Sequence, residues 1–154
     1  MNNISFRFAV ENDCDLILDF ITKLAIYEKL EDEVVATSEL LKDSIFNKKK
    51  AEVLFLLENG KEVGFALFFS SFSTFLGKPG IFLEDLFVLE EYRNKGYGKA
   101  LLLKMKEIAI QRDCGRLEWN CLDWNKPSID FYLSMDAIQM HGWTGFRIDK
   151  EKLK

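Results

Sequence analysis

Residues 81–111 constrain the fold more than any other stretch of the chain. "IFLEDLFVLEEY" is a nearly continuous apolar run interrupted only by Glu84 and Asp85, then "RNKGYGK" follows, and Tyr97, Leu101, Met105 and Ile108 recur at helical spacing. An apolar run of strand length that passes through a glycine-rich turn into a one-faced helix predicts a strand–turn–helix unit. A further strand expected over about Leu117–Leu122 closes a right-handed crossover, and the two strands it joins must lie parallel.

The rest of the chain fits around that unit. Ile4–Val10 alternates as a first strand, and Asn12 and Asp13 can cap a helix whose apolar positions are Leu16, Phe20, Leu24 and Tyr27. An acidic loop, "EKLEDE", precedes a second helix opened by Thr37 or Ser38 and running to about Phe46. Strands Ala51–Glu58 and Glu62–Phe72 flank "ENGK", whose Asn59-Gly60 pair signals a tight hairpin. Gly77, Pro79 and Gly80 mark the next turn. A short helix over Pro127–Ser134 and a C-terminal strand pair around Ile138 and Phe146–Ile148 complete the order β-α-α-β-β-β-α-β-α-β-β. This is an α/β chain with a mixed sheet, expected to form one domain over residues 1–154.

Composition narrows the partners. The formal net charge of −4 argues against nucleic acid, since a phosphate backbone calls for clustered Lys and Arg, and "KKK" at 48–50 reads as a solvated helix end. Residues 63–77 carry no charge but include Ser70, Ser71, Ser73 and Thr74 and are shorter than a membrane span, so no membrane partner is expected. Cys14, Cys114 and Cys121 are odd in number and lack CxxC spacing, which implies neither a disulfide framework nor a metal site and fits a cytoplasmic location.

The glycines at 96 and 98 have two readings. A Walker loop fails because Arg93 stands where glycine is needed and Ala100 where Ser or Thr is needed; the dinucleotide fingerprint fails at Leu101. What remains is Arg93-x-x-Gly96-x-Gly98 between a strand and a helix. It is either a plain turn or a cradle in which Asn94, Lys95, Gly96, Tyr97, Gly98 and Lys99 surround a pyrophosphate, with backbone N–H groups and the helix dipole as donors and Arg93 and Lys99 as charge.

This motif resembles the acetyl-CoA-binding motif of the GNAT N-acetyltransferases. "LAIYEKLEDEV", "FLEDLFVLEEYRNKGYGKALL", "LDWNKPSIDFY" and "GWTGFRIDKE" are similar, in order and over almost the whole chain, to the diamine (spermidine/spermine) acetyltransferase subfamily, which includes thialysine acetyltransferases. The resemblance implies the GNAT acyl-CoA N-acyltransferase fold, acetyl-CoA as cosubstrate, no metal and a homodimer paired through the C-terminal strands.

Acetyl transfer to an amine requires a base for an ammonium of pKa about 10, donors for an oxyanion, and an acid for the departing thiolate. The resemblance implies backbone donors among Leu86, Phe87 and Val88 on a splayed strand, freed by a β-bulge. Glu84 is the candidate base; strand alternation puts it on the face of Phe82, Leu86 and Val88, with Asp85 opposite as a structural or supporting charge. By resemblance Tyr132 is the acid, Asn125, Pro127 and Ser128 hold the pantetheine arm or phosphates, and Tyr27 and Glu28 face the substrate. Glu84, Asp85 and Glu118, with Trp119 and Asn120 beside it, complete a groove for a cationic amine. A polyamine is the first expectation and a thialysine-like or lysine-like amino acid the second. Ser73 and His141 stand where polyamine enzymes carry acids, Asp136 replaces a glycine, and "LDWN" is closer to the thialysine branch. A non-catalytic acyl-CoA-binding regulator and a protein-modifying acetyltransferase are the alternatives.

Overall fold

The computed structural model describes residues 3–154, which gather into two compact units, the first up to Asn120 and the second over Cys121–Lys154. The first unit is built on a five-stranded sheet in the order β1-β2-β3-β4-β5: β1 Ile4–Phe8, β2 Glu52–Glu58, β3 Lys61–Ser73, β4 Lys78–Val88 and β5 Leu117–Glu118. The first four strands are antiparallel, and β4 and β5 run parallel as the crossover requires. The hairpin between β2 and β3 turns at Asn59 and Gly60, both at positive φ (49° and 83°), the conformation the Asn-Gly pair favours.

Helices cover both faces. From α1 (Cys14–Tyr27), Ile17 and Phe20 enter a core with Val53, Phe55, Leu57, Phe65 and Phe87, and the Phe20 ring lies 5.2 Å from that of Phe65. Each fully buried side chain of this size contributes about 1.5–3 kcal/mol. Short α2 (Ser38–Leu41), capped by the Thr37 hydroxyl, continues as a π-helical turn over Lys42–Asn47 and closes this layer with Ile45. On the opposite face α3 (Tyr97–Gln111) buries Leu101, Leu102 and Met105 completely and packs on β3 and β4. The second unit holds α4 (Lys126–Ser134).

Four expectations are corrected. Asp13 does not cap α1 with its side chain; it takes a two-pronged bond from Arg7 at 2.8 and 2.9 Å, and that ion pair holds its carboxyl well below the usual range. Pro79 and Gly80 lie inside β4, and the turn is at residues 74–77. Gly80 is required there because a Cβ would come within 2.8 Å of the Ser71 hydroxyl and 3.0 Å of the Arg116 carbonyl, where the chain entering β5 passes. The strand expected to reach Leu122 ends at Glu118. The expected C-terminal strand pair is absent: residues 137–149 form no ladder, and Ile138, Met140, Trp143, Phe146 and Ile148 are exposed. An apolar extended segment without a neighbouring strand has no partner for its backbone groups and stays unpaired. Among the described residues, no helix is long and apolar enough to cross a membrane, and no cluster of His, Cys, Asp or Glu could hold a metal ion.

Candidate active site

The site grows from one irregularity in β4. Leu83 pairs with Phe68 and Asp85 with Leu67, so Glu84 is an extra residue opposite a single step of β3. A bulge of this kind leaves the inserted residue outside the ladder and reverses the alternation on one side of it. The expectation that Glu84 shares a face with Phe82, Leu86 and Val88 is therefore corrected. Phe87 pairs with Phe65 and Asp85 with Leu67, so Asp85 lies on the α1 side of the sheet, and Glu84 projects from the bulge into solvent.

Burial first, then the charges of Glu84 and Glu28, push the Asp85 carboxyl up to about 7. Glu28 caps the C-terminus of α1 with its backbone N–H, and burial followed by the charge of Glu84 pushes its carboxyl up as well. Glu28, Glu84 and Asp85 thus lie close enough to bias one another's charge near the C-terminal end of α1. Tyr27 stands beside them with its ring 6.2 Å from that of Phe87. A carboxyl that titrates near neutrality is the better-matched proton acceptor, so Asp85, expected only as a structural or supporting charge, ranks above Glu84 here.

On its far edge β4 pairs with β5 at Ile81 and Phe82, and among the described residues the ladder there goes no further. The Leu89 N–H bonds to Val63 on β3, so by strand alternation the Leu86 and Val88 amides turn toward the edge β5 has left, while Phe87 turns to β3. Glu118 pairs with Arg116 at 3.0 Å, which offsets its attraction for a cation; Trp119 is half-buried and Asn120 exposed just beyond.

Past β4 the chain makes the predicted loop. Asn94 (φ 64°) and Gly96 (φ 80°) are both left-handed, and Gly96 caps α3. The first turn of a helix has N–H groups with no intrahelical acceptor, and here they belong to Tyr97, Gly98 and Lys99. A Cβ on Gly98 would meet nothing within 4 Å. Glycine inside a helix costs about 1 kcal/mol relative to alanine, and no protein atom requires it here. The room it leaves suits a group that approaches the backbone from outside the chain, and the amide set suits a pyrophosphate.

The charges around the loop are placed differently from expectation. Lys95 pairs with Glu58 at 3.1 Å, and the Tyr97 hydroxyl donates to the same carboxylate. Lys99 is exposed on the first turn of α3. Arg93 does not extend over the loop: its Nε donates to the Val88 carbonyl at 3.0 Å and its guanidinium lies over the Tyr27 and Phe87 rings, which hold a planar cation on their faces.

In the second unit, the Asn125 carboxamide oxygen accepts from the Ser128 N–H at 3.4 Å and caps α4, and Pro127 sits in the first turn, where no N–H is needed. Asn125 is buried by this role, and Tyr132 is half-buried two turns along the same helix, its ring 5.4 Å from Phe131.

The acetyltransferase (GNAT) family profile matches residues 18–136. Thialysine N-epsilon-acetyltransferase of Sus scrofa is 34% identical over 100% of this chain and 97% of its own length. L-ornithine N5-acetyltransferase of Arabidopsis thaliana is 29% identical over 96% and 85%. Among solved structures, an integron cassette protein from the mobile metagenome of V. cholerae superposes with a TM-score of 0.80 at 26% identity, covering 97% of this chain and 94% of that one. The chain belongs to the GNAT acetyltransferase family. It is an acetyl-CoA-dependent N-acetyltransferase with the mixed α/β fold of that family.

Proposed function

We propose that this enzyme acetylates a primary amine on a small cationic molecule, and that the bulge at Glu84 is the observation that carries the reading. It leaves Glu84 outside the ladder and near enough to Asp85 and Glu28 for its charge to bear on both, which supports recognition of an ammonium and removal of its proton. Asp85 takes that proton, directly or through water, and Glu84 beside it adds charge that holds the ammonium. The Leu86 and Val88 amides donate to the thioester carbonyl from the open edge of β4. The amides of residues 94–99 hold the phosphates of acetyl-CoA, which supplies the acetyl group. Tyr132 holds the proton for the departing thiolate, with Ser128 and Asn125 organising α4. Tyr27 and Glu28 line the amine side, and Glu118, Trp119 and Asn120 lie farther out.

For the amine itself, relatives named for the side-chain amines of thialysine and ornithine favour a basic amino acid over the polyamine expected from the sequence. The polyamine remains the second reading, favoured by three carboxylates for more than one cationic centre. The exposed apolar segment over residues 137–149 supports a homodimer in which it pairs with a second copy. The free cysteines support a cytoplasmic location, and neither nucleic acid nor membrane is proposed as a partner.

The test is thiol release from acetyl-CoA with thialysine, lysine, ornithine, spermidine, spermine, putrescine and a basic peptide. Turnover of a basic amino acid that falls about a hundredfold or more in Tyr132→Phe, with acetyl-CoA affinity unchanged, is the expected result. Turnover of the peptide alone would reject a small-molecule substrate, and an unchanged kcat would remove Tyr132 from the mechanism.

A further inference from the structure

Arg93 opens the phosphate loop but points away from it. Its Nε–H donates to the Val88 carbonyl at 3.0 Å, and its guanidinium carbon lies 4.6 Å from the centre of the Tyr27 ring and 5.1 Å from that of Phe87. Tyr27 is the last residue of α1, and Glu28, the next residue, is one of the three carboxylates on the amine side. One side chain therefore touches the end of the strand that carries the bulge, the end of the helix that carries Glu28, and, through its own backbone, the head of the loop. A lysine could reproduce the charge but neither the flat stack on two rings nor the directed Nε–H bond.

We propose that Arg93 is a positioning residue that couples the phosphate loop to the amine side: when the loop closes on the acyl donor, Arg93 sets Tyr27 and Glu28 in place, and donor occupancy tightens binding of the amine. The inference rests on the amine-side reading of Tyr27 and Glu28 proposed above. Because the coupling is thermodynamic it is reciprocal, and the bound amine tightens the donor by the same factor. Lys99 and the loop amides, rather than Arg93, then meet the phosphates.

The experiment separates the two roles in Arg93→Lys. Acetyl-CoA affinity is measured by calorimetry without amine, and the KM of the best amine at saturating acetyl-CoA. Amine affinity is also measured with and without free CoA, which occupies the loop without reacting. The expected result is an amine KM raised about tenfold, acetyl-CoA affinity and kcat within about twofold of wild type, and loss of the CoA-dependent tightening. Weakened acetyl-CoA binding with an unchanged amine KM would make Arg93 a phosphate ligand and overturn the proposal. Parallel losses in both, or a change in neither, would overturn it as well. Tyr27→Leu removes one ring from the stack and provides an independent arm. Its KM effect should shrink in the Arg93→Lys background, and full additivity would contradict the coupling. Should Arg93→Lys not fold, retained CoA-dependent tightening in Tyr27→Leu would overturn the proposal by itself. Wild-type enzyme that turned over no amine at all would instead sink the substrate reading, whereas turnover without the KM split would sink only the role of Arg93.

Discussion

The glycine loop and the acidic pair Glu84 and Asp85 lie a few residues apart on one strand–turn–helix unit, yet they are made by different means. What the loop offers is backbone: a left-handed Gly96, an open Gly98 and the first amides of α3, a set that suits an anion whatever packs around it. The pair works through side chains, one of them on a single inserted residue. Asp85 shares the face of Phe87 by ordinary alternation, whereas the bulge lifts Glu84 out of the ladder beside it, and burial followed by the charges of Glu84 and Glu28 pushes the Asp85 carboxyl up to about 7. A backbone site can be written in a short motif, whereas a side-chain site needs the register of the neighbouring strand.

The largest effect that sharpens this contrast is at Gly98. Gly98→Ala should raise the melting temperature, because alanine is about 1 kcal/mol better in a helix and its Cβ enters open space. The same methyl should weaken acetyl-CoA about ten- to a hundredfold, or roughly 1.4–2.8 kcal/mol. Calorimetry and thermal melts together check the opposite signs; a donor affinity left intact would break the claim that the space belongs to a ligand.

Asp85 comes next. A folded-state value near 7 against about 3.8 when unfolded means the fold disfavours the ionised carboxyl. The stability tied to the protonated form is complete below about pH 4 and is lost as pH rises through 7. Asp85→Asn should therefore be more stable than wild type at pH 8, on the order of 2 kcal/mol after discounting for the water that still reaches the group, and the advantage should vanish by pH 4. Denaturant titrations at the two pH values read it directly, and a constant difference would show that the carboxyl is not perturbed.

The smallest effect is expected at Glu118. Its pairing with Arg116 already balances its charge, so Glu118→Gln should change the KM of the amine by less than about twofold, against a much larger rise for Glu28→Gln. Equal effects would extend the cationic groove to β5 and weaken the distinction drawn here between the two acids.

Much of the scaffold was legible in the sequence. The Asn59-Gly60 turn, the α1 face carrying Phe20, the parallel β4–β5 pair and the glycine loop all follow from local patterns that tertiary structure did not override. What escaped depended on partners distant in sequence. Asp13 was free to cap α1 until Arg7 claimed it, and Pro79 and Gly80 looked like a turn because their neighbours across the hairpin and at Arg116 could not be seen. The C-terminal strands failed for the related reason that a strand is defined by what pairs with it, and this chain offers residues 137–149 no neighbour. In the site, Glu84, Glu28 and Tyr27 were named from the sequence, and alternation put Asp85 on the correct face relative to Leu86 and Val88; Asp85 was ranked below Glu84 because its burial and the charge of Glu28 come from elements distant in sequence. Two consecutive acids inside an otherwise apolar strand were the available signal. Arg93 was read by its position in the motif, and only the rings of Tyr27 and Phe87 redirect it.

The most direct test of Asp85 as the proton acceptor is the pH dependence of kcat/KM for the amine, compared between wild type and Asp85→Asn. The account predicts that wild-type kcat/KM rises through a titration near pH 7 and that this limb disappears in Asp85→Asn while Glu84→Gln retains it. A limb near 7 that survives in Asp85→Asn would place the proton acceptor elsewhere and contradict the central role given to the buried Asp85 carboxyl.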